Sequence, residues 1–161
     1  MTVINVNKFL SDNGQTLATA ESLTGGAIAA KFVGQPGVSG LFKGGVVAYQ
    51  EEAKILMLEV SAKSIDIHGV VSQQVASEMA RGARAAFGSD WAVSTTGIAG
   101  PTGGTEEDPI GTVCFGVARP DGTVITDMVR FGNIGRAKIS AAAVKYAIQL
   151  LKEHMWGKAK Q

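Results

Sequence analysis

A single cysteine, Cys114, leaves the chain no partner for an internal disulfide, so a disulfide-stapled scaffold is excluded. One thiol suits a reducing compartment, and a cytoplasmic location is expected. Only two histidines are present, His68 and His154, far apart in sequence and with no cysteine or carboxylate at metal-ligand spacing, so no metal site is expected. No apolar run approaches the ~20 residues of a membrane-spanning helix. The first ten residues are polar and lack a leader's apolar core. The net charge is only +1, which removes any broad electrostatic case for nucleic acid or an anionic membrane. No glycine-rich stretch is followed by Gly-Lys-Ser/Thr, and none matches the dinucleotide fingerprint.

What remains is a globular composition, 45% hydrophobic and 18% charged over 161 residues, the size of one domain with a substantial core. Apolar spacing predicts a first helix over residues 2–12, ended by Asn13-Gly14, and a short strand over 16–20. A polar turn at 21–26 leads into a small-residue helix over 24–33, with Thr24 as its cap and Gly34 at its end. A loop at 35–40 precedes a strand over 41–49, where Gly44-Gly45 suggests a bulge. A short helix over 51–58 carries Lys54. Residues 59–71 read as irregular, with one helical turn near 62–67. Residues 72–87 form the clearest helix, capped by Ser72, carrying Val75, Met79 and Ala83 at helical spacing, and stopped by Gly88. A strand over 91–96 runs into the loop at 97–104. An acidic loop at 105–109 precedes two strands, 111–118 and 123–131, whose Asp121-Gly122 link predicts an antiparallel hairpin. A long helix over 135–155 closes the chain, and a basic, frayed tail is expected at 157–161. Helices between the early strands imply parallel crossovers. The expected fold is therefore a three-layer α/β/α sandwich with a mixed, mostly parallel sheet of about five strands, in one domain over 1–161.

Ligands in such sheets gather at the carboxyl ends of the parallel strands. Those ends deliver Glu21, Ser22, Thr24, Gly25 and Gly26 from the first strand, Tyr49 and Lys54 from the second, and Thr96 and Gly97 from the third. Glycine turns at helix starts suit an anion or oxyanion. A serine beside a lysine with a lowered pKa makes an acyl-transfer centre that needs neither histidine nor metal. Arg136, at the start of the last helix, is a candidate to hold a phosphate or carboxylate. Each of these residues also has an ordinary reading: an exposed helix cation for Lys54, a sheet-edge aromatic for Tyr49, cap or turn hydroxyls for Ser22, Ser39 and Thr96, and a surface guanidinium for Arg136. Their agreement on one sheet edge is what argues for a site. Cys114, inside a strand, reads as a small core residue.

The segments Ala20-Glu21-Ser22-Leu23-Thr24-Gly25-Gly26, Gly45-Val46-Val47-Ala48-Tyr49 with Lys54 following, His68-Gly69-Val70-Val71-Ser72 and Ser94-Thr95-Thr96-Gly97-Ile98-Ala99-Gly100-Pro101 resemble the CinA C-terminal domain family, in order and over nearly the whole chain. That resemblance implies a nicotinamide-nucleotide amidohydrolase. Such an enzyme converts nicotinamide mononucleotide to nicotinate mononucleotide and ammonia without a cofactor. It implies a catalytic group of Ser39, Tyr49 and Lys54, supported by Ser22, Thr96 and Arg136. The sequence departs at Leu23, where many relatives carry cysteine. Topology favours a different serine. Ser39 precedes the second strand and Lys54 follows it, and eight strand residues span roughly 26 Å. A Ser39–Lys54 pair needs a folded-back loop or a neighbouring subunit, which leans toward a homo-oligomer, whereas Ser22 sits naturally beside Tyr49 and Lys54. Both serines stand as candidate nucleophiles. The alternative to an enzyme is a non-catalytic nucleotide-binding regulatory module, which would be stabilised by the mononucleotide and return it unchanged.

Overall fold

The computed structural model describes residues 2–157. Its elements run α1 (Thr2–Asn13), β1 (Leu17–Glu21), α2 (Ala27–Val33), β2 (Phe42–Val47), α3 (Glu51–Leu58), α4 (Ala62–His68), α5 (Gln73–Phe87), β3 (Trp91–Gly97), β4 (Thr112–Ala118), β5 (Val124–Arg130) and α6 (Arg136–Trp156). Of the basic tail expected at 157–161, residues 158–161 lie outside the described residues. The strands form one sheet in the order β2-β1-β3-β4-β5. It is parallel over β2–β1–β3 and antiparallel over β3–β4–β5. Helices α1, α2 and α6 cover one face and α3, α4 and α5 the other. This is the expected three-layer sandwich with a mixed five-stranded sheet.

The two faces of the sheet differ in side-chain size, and that difference sets how closely the helices approach. Leu17, Trp91, Val93, Val113, Phe115 and Val117 face α1, α2 and α6 and interlock with Leu10, Phe32, Ile139 and Leu151. The opposite face carries Ala18, Ala20, Ala92 and Ala118. There α5 comes close enough for Ser94 Oγ to donate to the Ala76 carbonyl at 2.5 Å. A Cβ on Gly116 would stand 2.5 Å from that same carbonyl oxygen, so only glycine permits the approach. Burial of Cys114 among these strands, with Asp108 and Asp127 adding to it, pushes its thiol up to about 12, which makes it unreactive.

Helix α5 forms where its periodicity predicts it. Ser72 Oγ accepts from the Val75 amide at 3.2 Å as an N-cap, Val75, Met79 and Ala83 are buried, and Gly88 ends the helix at φ 57°. Two local expectations are corrected. Residues 62–68 make a complete helix, α4, where one turn within irregular chain was expected. Helix α2 begins at Ala27 rather than Thr24, because Thr24 does not cap it. Instead Glu21 accepts from the amides of Ile28 (2.8 Å) and Ala29 (3.1 Å), a cap supplied from the preceding strand. The expected bulge is present in β2: Leu17 pairs with Phe42 and Ala18 with Gly44, leaving Lys43 as the extra residue.

The chain leaves β1 toward β2 on one side through α2 and returns to β3 on the other side through α5. The carboxyl ends of β1 and β3 thus flank the point where the winding reverses, the position at which open α/β sheets form a crevice.

Candidate functional site

Three segments meet at that crevice. The first is the turn after β1. The Ser22 amide extends the parallel ladder by donating to the Thr95 carbonyl at 3.1 Å. The turn then closes through Gly25 and Gly26, whose φ of 58° and 96° suit glycine and disfavour other residues. Behind the turn the buried Glu21 carboxylate also accepts from Thr24 Oγ1 at 2.7 Å, and Thr24 Oγ1 lies 2.9 Å from Thr95 Oγ1. Glu21 and Thr24 therefore lock the turn against α2 and β3 from inside, and Ser22 is left facing outward into the crevice.

The second segment is α3. Its Lys54 is 1% exposed, an unusual depth for a lysine. Nζ donates to the carbonyls of Ala48 at 2.8 Å and Tyr49 at 3.2 Å, and lies 3.0 Å from Ser22 Oγ. Desolvation lowers the Lys54 pKa from 10.5 to about 8, against the pull of the Glu51 carboxylate one helical turn away. The three contacts suit both protonation states. A charged ammonium has one N–H for each acceptor. A neutral amine keeps two N–H bonds to the carbonyls and turns its lone pair to the Ser22 hydroxyl. A proton can thus pass between Ser22 and Lys54 with no heavy atom moving.

The third segment is the end of β3 with the start of α6. Thr96 Oγ1 donates to the Val70 carbonyl at 3.0 Å and ties the loop after α4 to the sheet. Arg136 donates to the Gly100 carbonyl at 2.7 Å and to the Tyr49 hydroxyl at 2.8 Å, so α6 and the end of β2 are joined across the mouth of the crevice. The resulting cavity has a volume of about 370 Å³. Ser22, Lys54, Tyr49, Gln50, Glu51, Thr96 and Arg136 supply its polar lining, and Leu23, Val70, Val71 and Ala99 its apolar wall.

Of the residues singled out in the sequence, Ser22, Tyr49, Lys54, Thr96, Gly97 and Arg136 converge on this cavity. Glu21, Thr24, Gly25 and Gly26 stand behind it and build the turn that carries Ser22. Ser39 is exposed on the loop ahead of β2, at the opposite end of that strand from Tyr49 and Lys54, and is not among the lining residues. Sequence reasoning passed over Glu51, Val70 and Val71. Glu51 had a usable signal: at three residues before Lys54 it shares that lysine's helix face. The two valines had none, because their place depends on how α4 and α5 fold back over the sheet.

Among the described residues no three His, Cys, Asp or Glu side chains gather in a way that could hold a metal ion, and no helix is long and apolar enough to cross a membrane.

Residues 2–155 match the sequence model of the CinA C-terminal domain. A CinA-like protein of Chlorobaculum tepidum is 44% identical over 155 residues, covering 92% of this chain and 37% of that protein. One of Mycobacterium marinum is 47% identical over 148 residues, covering 91% and 34%. The chain thus spans about a third of the length of these curated relatives. Among solved structures, the competence damage-inducible protein A of Klebsiella pneumoniae superposes with a TM-score of 0.92 at 34% identity, covering 98% of this chain and 97% of that one. The competence/damage inducible protein CihA of Agrobacterium tumefaciens gives 0.87 at 37% identity, covering 93% of each.

Proposed function

The chain belongs to the CinA C-terminal domain family, and from that membership together with the Ser22–Lys54 pair we propose that it is an amidohydrolase converting nicotinamide mononucleotide to nicotinate mononucleotide and ammonia. The observation that carries the reading is a buried lysine amine, 3.0 Å from a serine hydroxyl, in a cavity of about 370 Å³. That volume suits one small ligand.

The chemistry follows from the pair. Neutral Lys54 takes the Ser22 proton as Oγ bonds to the carboxamide carbon, and backbone N–H groups near Gly25 or Gly97 are the candidates to stabilise the developing oxyanion. The resulting ammonium returns its proton to the leaving nitrogen. The C–N bond breaks, ammonia departs, and an ester to Ser22 remains. Water then adds to the ester carbon, Lys54 accepts one of its protons and passes it to Ser22 Oγ as the carboxylic acid leaves, and the acid gives its remaining proton to solvent to become the carboxylate. Tyr49 assists through its backbone carbonyl, which holds Nζ, and Arg136 is the group to receive the 5′-phosphate. A role for Ser39 would require a second subunit of a homo-oligomer to bring it to the cavity.

The test is ammonia release from nicotinamide mononucleotide, with and without a chelator. One ammonia per nicotinate mononucleotide, unchanged by chelation, is the expected result. Stabilisation by a mononucleotide that is recovered intact would instead make the chain a nucleotide-binding regulatory module.

A further inference from the structure

The cavity is lined by groups of both charge signs. Of its described lining residues Tyr49, Glu51, Lys54 and Arg136 are titratable, and Glu51 is the one carboxylate among them. Glu51 and Lys54 come from α3, Tyr49 from the segment before it, and Arg136 from α6, where its guanidinium is held by Gly100 and Tyr49. Glu51 has no ion-pair partner among the described residues. When Lys54 is neutral, as the proposed attack requires, nothing on α3 balances the Glu51 charge. Leu23, Val70, Val71 and Ala99 give the same cavity an apolar wall, suited to the face of a flat ring.

We propose that Glu51 is a specificity-determining residue of this pocket, whose carboxylate selects amides carried on a cationic aromatic ring, the N-substituted pyridinium carboxamides, over neutral aromatic amides. This rests on the amidase reading and sharpens its substrate class. A pyridinium nitrogen that bears a ribosyl phosphate is positive at every pH, while its phosphate is negative, so the ligand carries a charge opposite in sign to each of the Glu51 carboxylate and the Arg136 guanidinium. An attraction between unit charges near 4 Å in a water-like medium corresponds to about fivefold in affinity, and partial exclusion of solvent raises it. Added salt weakens it, because Glu51 is exposed. Glu51 also suits the first turn of α3 through the helix dipole, but that role bears on stability alone and is blind to the charge on a ligand's ring.

The experiment is calorimetric binding to a Ser22→Ala chain, which holds ligand without turnover. The two probes are nicotinamide mononucleotide and its 1,4-dihydro form, which carries the same phosphate on a neutral ring. The cationic form is expected to bind at least fivefold more tightly. A Ser22→Ala/Glu51→Gln chain is expected to lose that ratio by weakening the cationic form alone, and Ser22→Ala/Glu51→Asp to retain most of it. An unchanged ratio in the Gln variant, equal binding of the two probes to Ser22→Ala, or binding of neither overturns the proposal. A native chain that releases no ammonia while the ratio still depends on Glu51 removes the amidase activity and leaves the charge selection standing.

Discussion

Lys54 Nζ lies 3.0 Å from Ser22 Oγ although 32 positions separate the two residues. Neither group is exposed, at 1% and 7% respectively, yet both border the same cavity. The contact depends on β1 and β2 being parallel neighbours, so that the turn leaving one strand and the helix leaving the other begin at the same sheet edge.

If the pair acts as a unit, removing either member stops the reaction. Lys54→Ala and Ser22→Ala are each expected to lower kcat by about 10²–10⁴-fold, with the double variant little worse than the singles. Steady-state ammonia release from the three purified variants checks this. Losses that multiply in the double variant would mean the two residues act separately.

The pH profile follows from the lysine. The attacking state needs Lys54 neutral, and its pKa is lowered to about 8. Activity is therefore expected to rise with pH and reach half its plateau near pH 8. Glu51→Gln removes the influence that raises the Lys54 pKa and is expected to move this limb to lower pH. A rate profile of kcat/KM between pH 6 and 10 reads both values.

Stability carries the same titration with a defined sign. Lys54 takes about 10.5 in the unfolded chain and about 8 in the fold. Between those values the unfolded state binds more protons, so stability increases as pH rises through this window, and below about pH 8 the full cost of burying the charge is present. The gap corresponds to about 3 kcal/mol. Lys54→Met leaves two carbonyls without their donor, an offset that does not vary with pH. From pH 7 to 10.5 the native chain is expected to gain about 3 kcal/mol relative to Lys54→Met in urea denaturation. A difference that stays flat with pH would mean the lysine is not desolvated in the fold.

Gly82 connects packing to the site. A Cβ at this position on α5 would stand 1.9 Å from the Leu58 carbonyl oxygen at the end of α3. The two helices meet backbone to backbone there, and α3 carries Lys54. Gly82→Ala is expected to push α3 outward, to cost roughly 1–3 kcal/mol as an overpacked contact, and to lower activity through the displaced amine. Thermal unfolding and turnover on the same preparation measure both effects.

Much of the fold was legible because local signals agreed with tertiary demand. The Ser72 cap, the Val75–Met79–Ala83 spacing and Gly88 define α5 without any knowledge of its partners. The site was legible in part for the same reason: Ser22, Tyr49, Lys54 and Thr96 all lie at or just past strand ends, and strand ends can be read from apolar runs. What could not be read is the contact that crosses elements. Glu21 looked like a site carboxylate because nothing local tells that Ile28 and Ala29 would bring their amides to it. The same blindness moved the start of α2 from Thr24 to Ala27. Val70 and Val71 reach the cavity wall through the folding of α4 and α5 over the sheet and through the tie from Thr96 to the Val70 carbonyl, contacts with no local signal.

The most direct test is to trap the covalent intermediate. Native protein mixed with nicotinamide mononucleotide, quenched in acid within one turnover and digested, is expected to yield the peptide containing Ser22 with the acyl group of nicotinate mononucleotide attached. The Lys54→Ala chain is expected to yield none. An acyl group found on Ser39, or undiminished turnover by Ser22→Ala, would contradict the Ser22–Lys54 pair as the reacting centre.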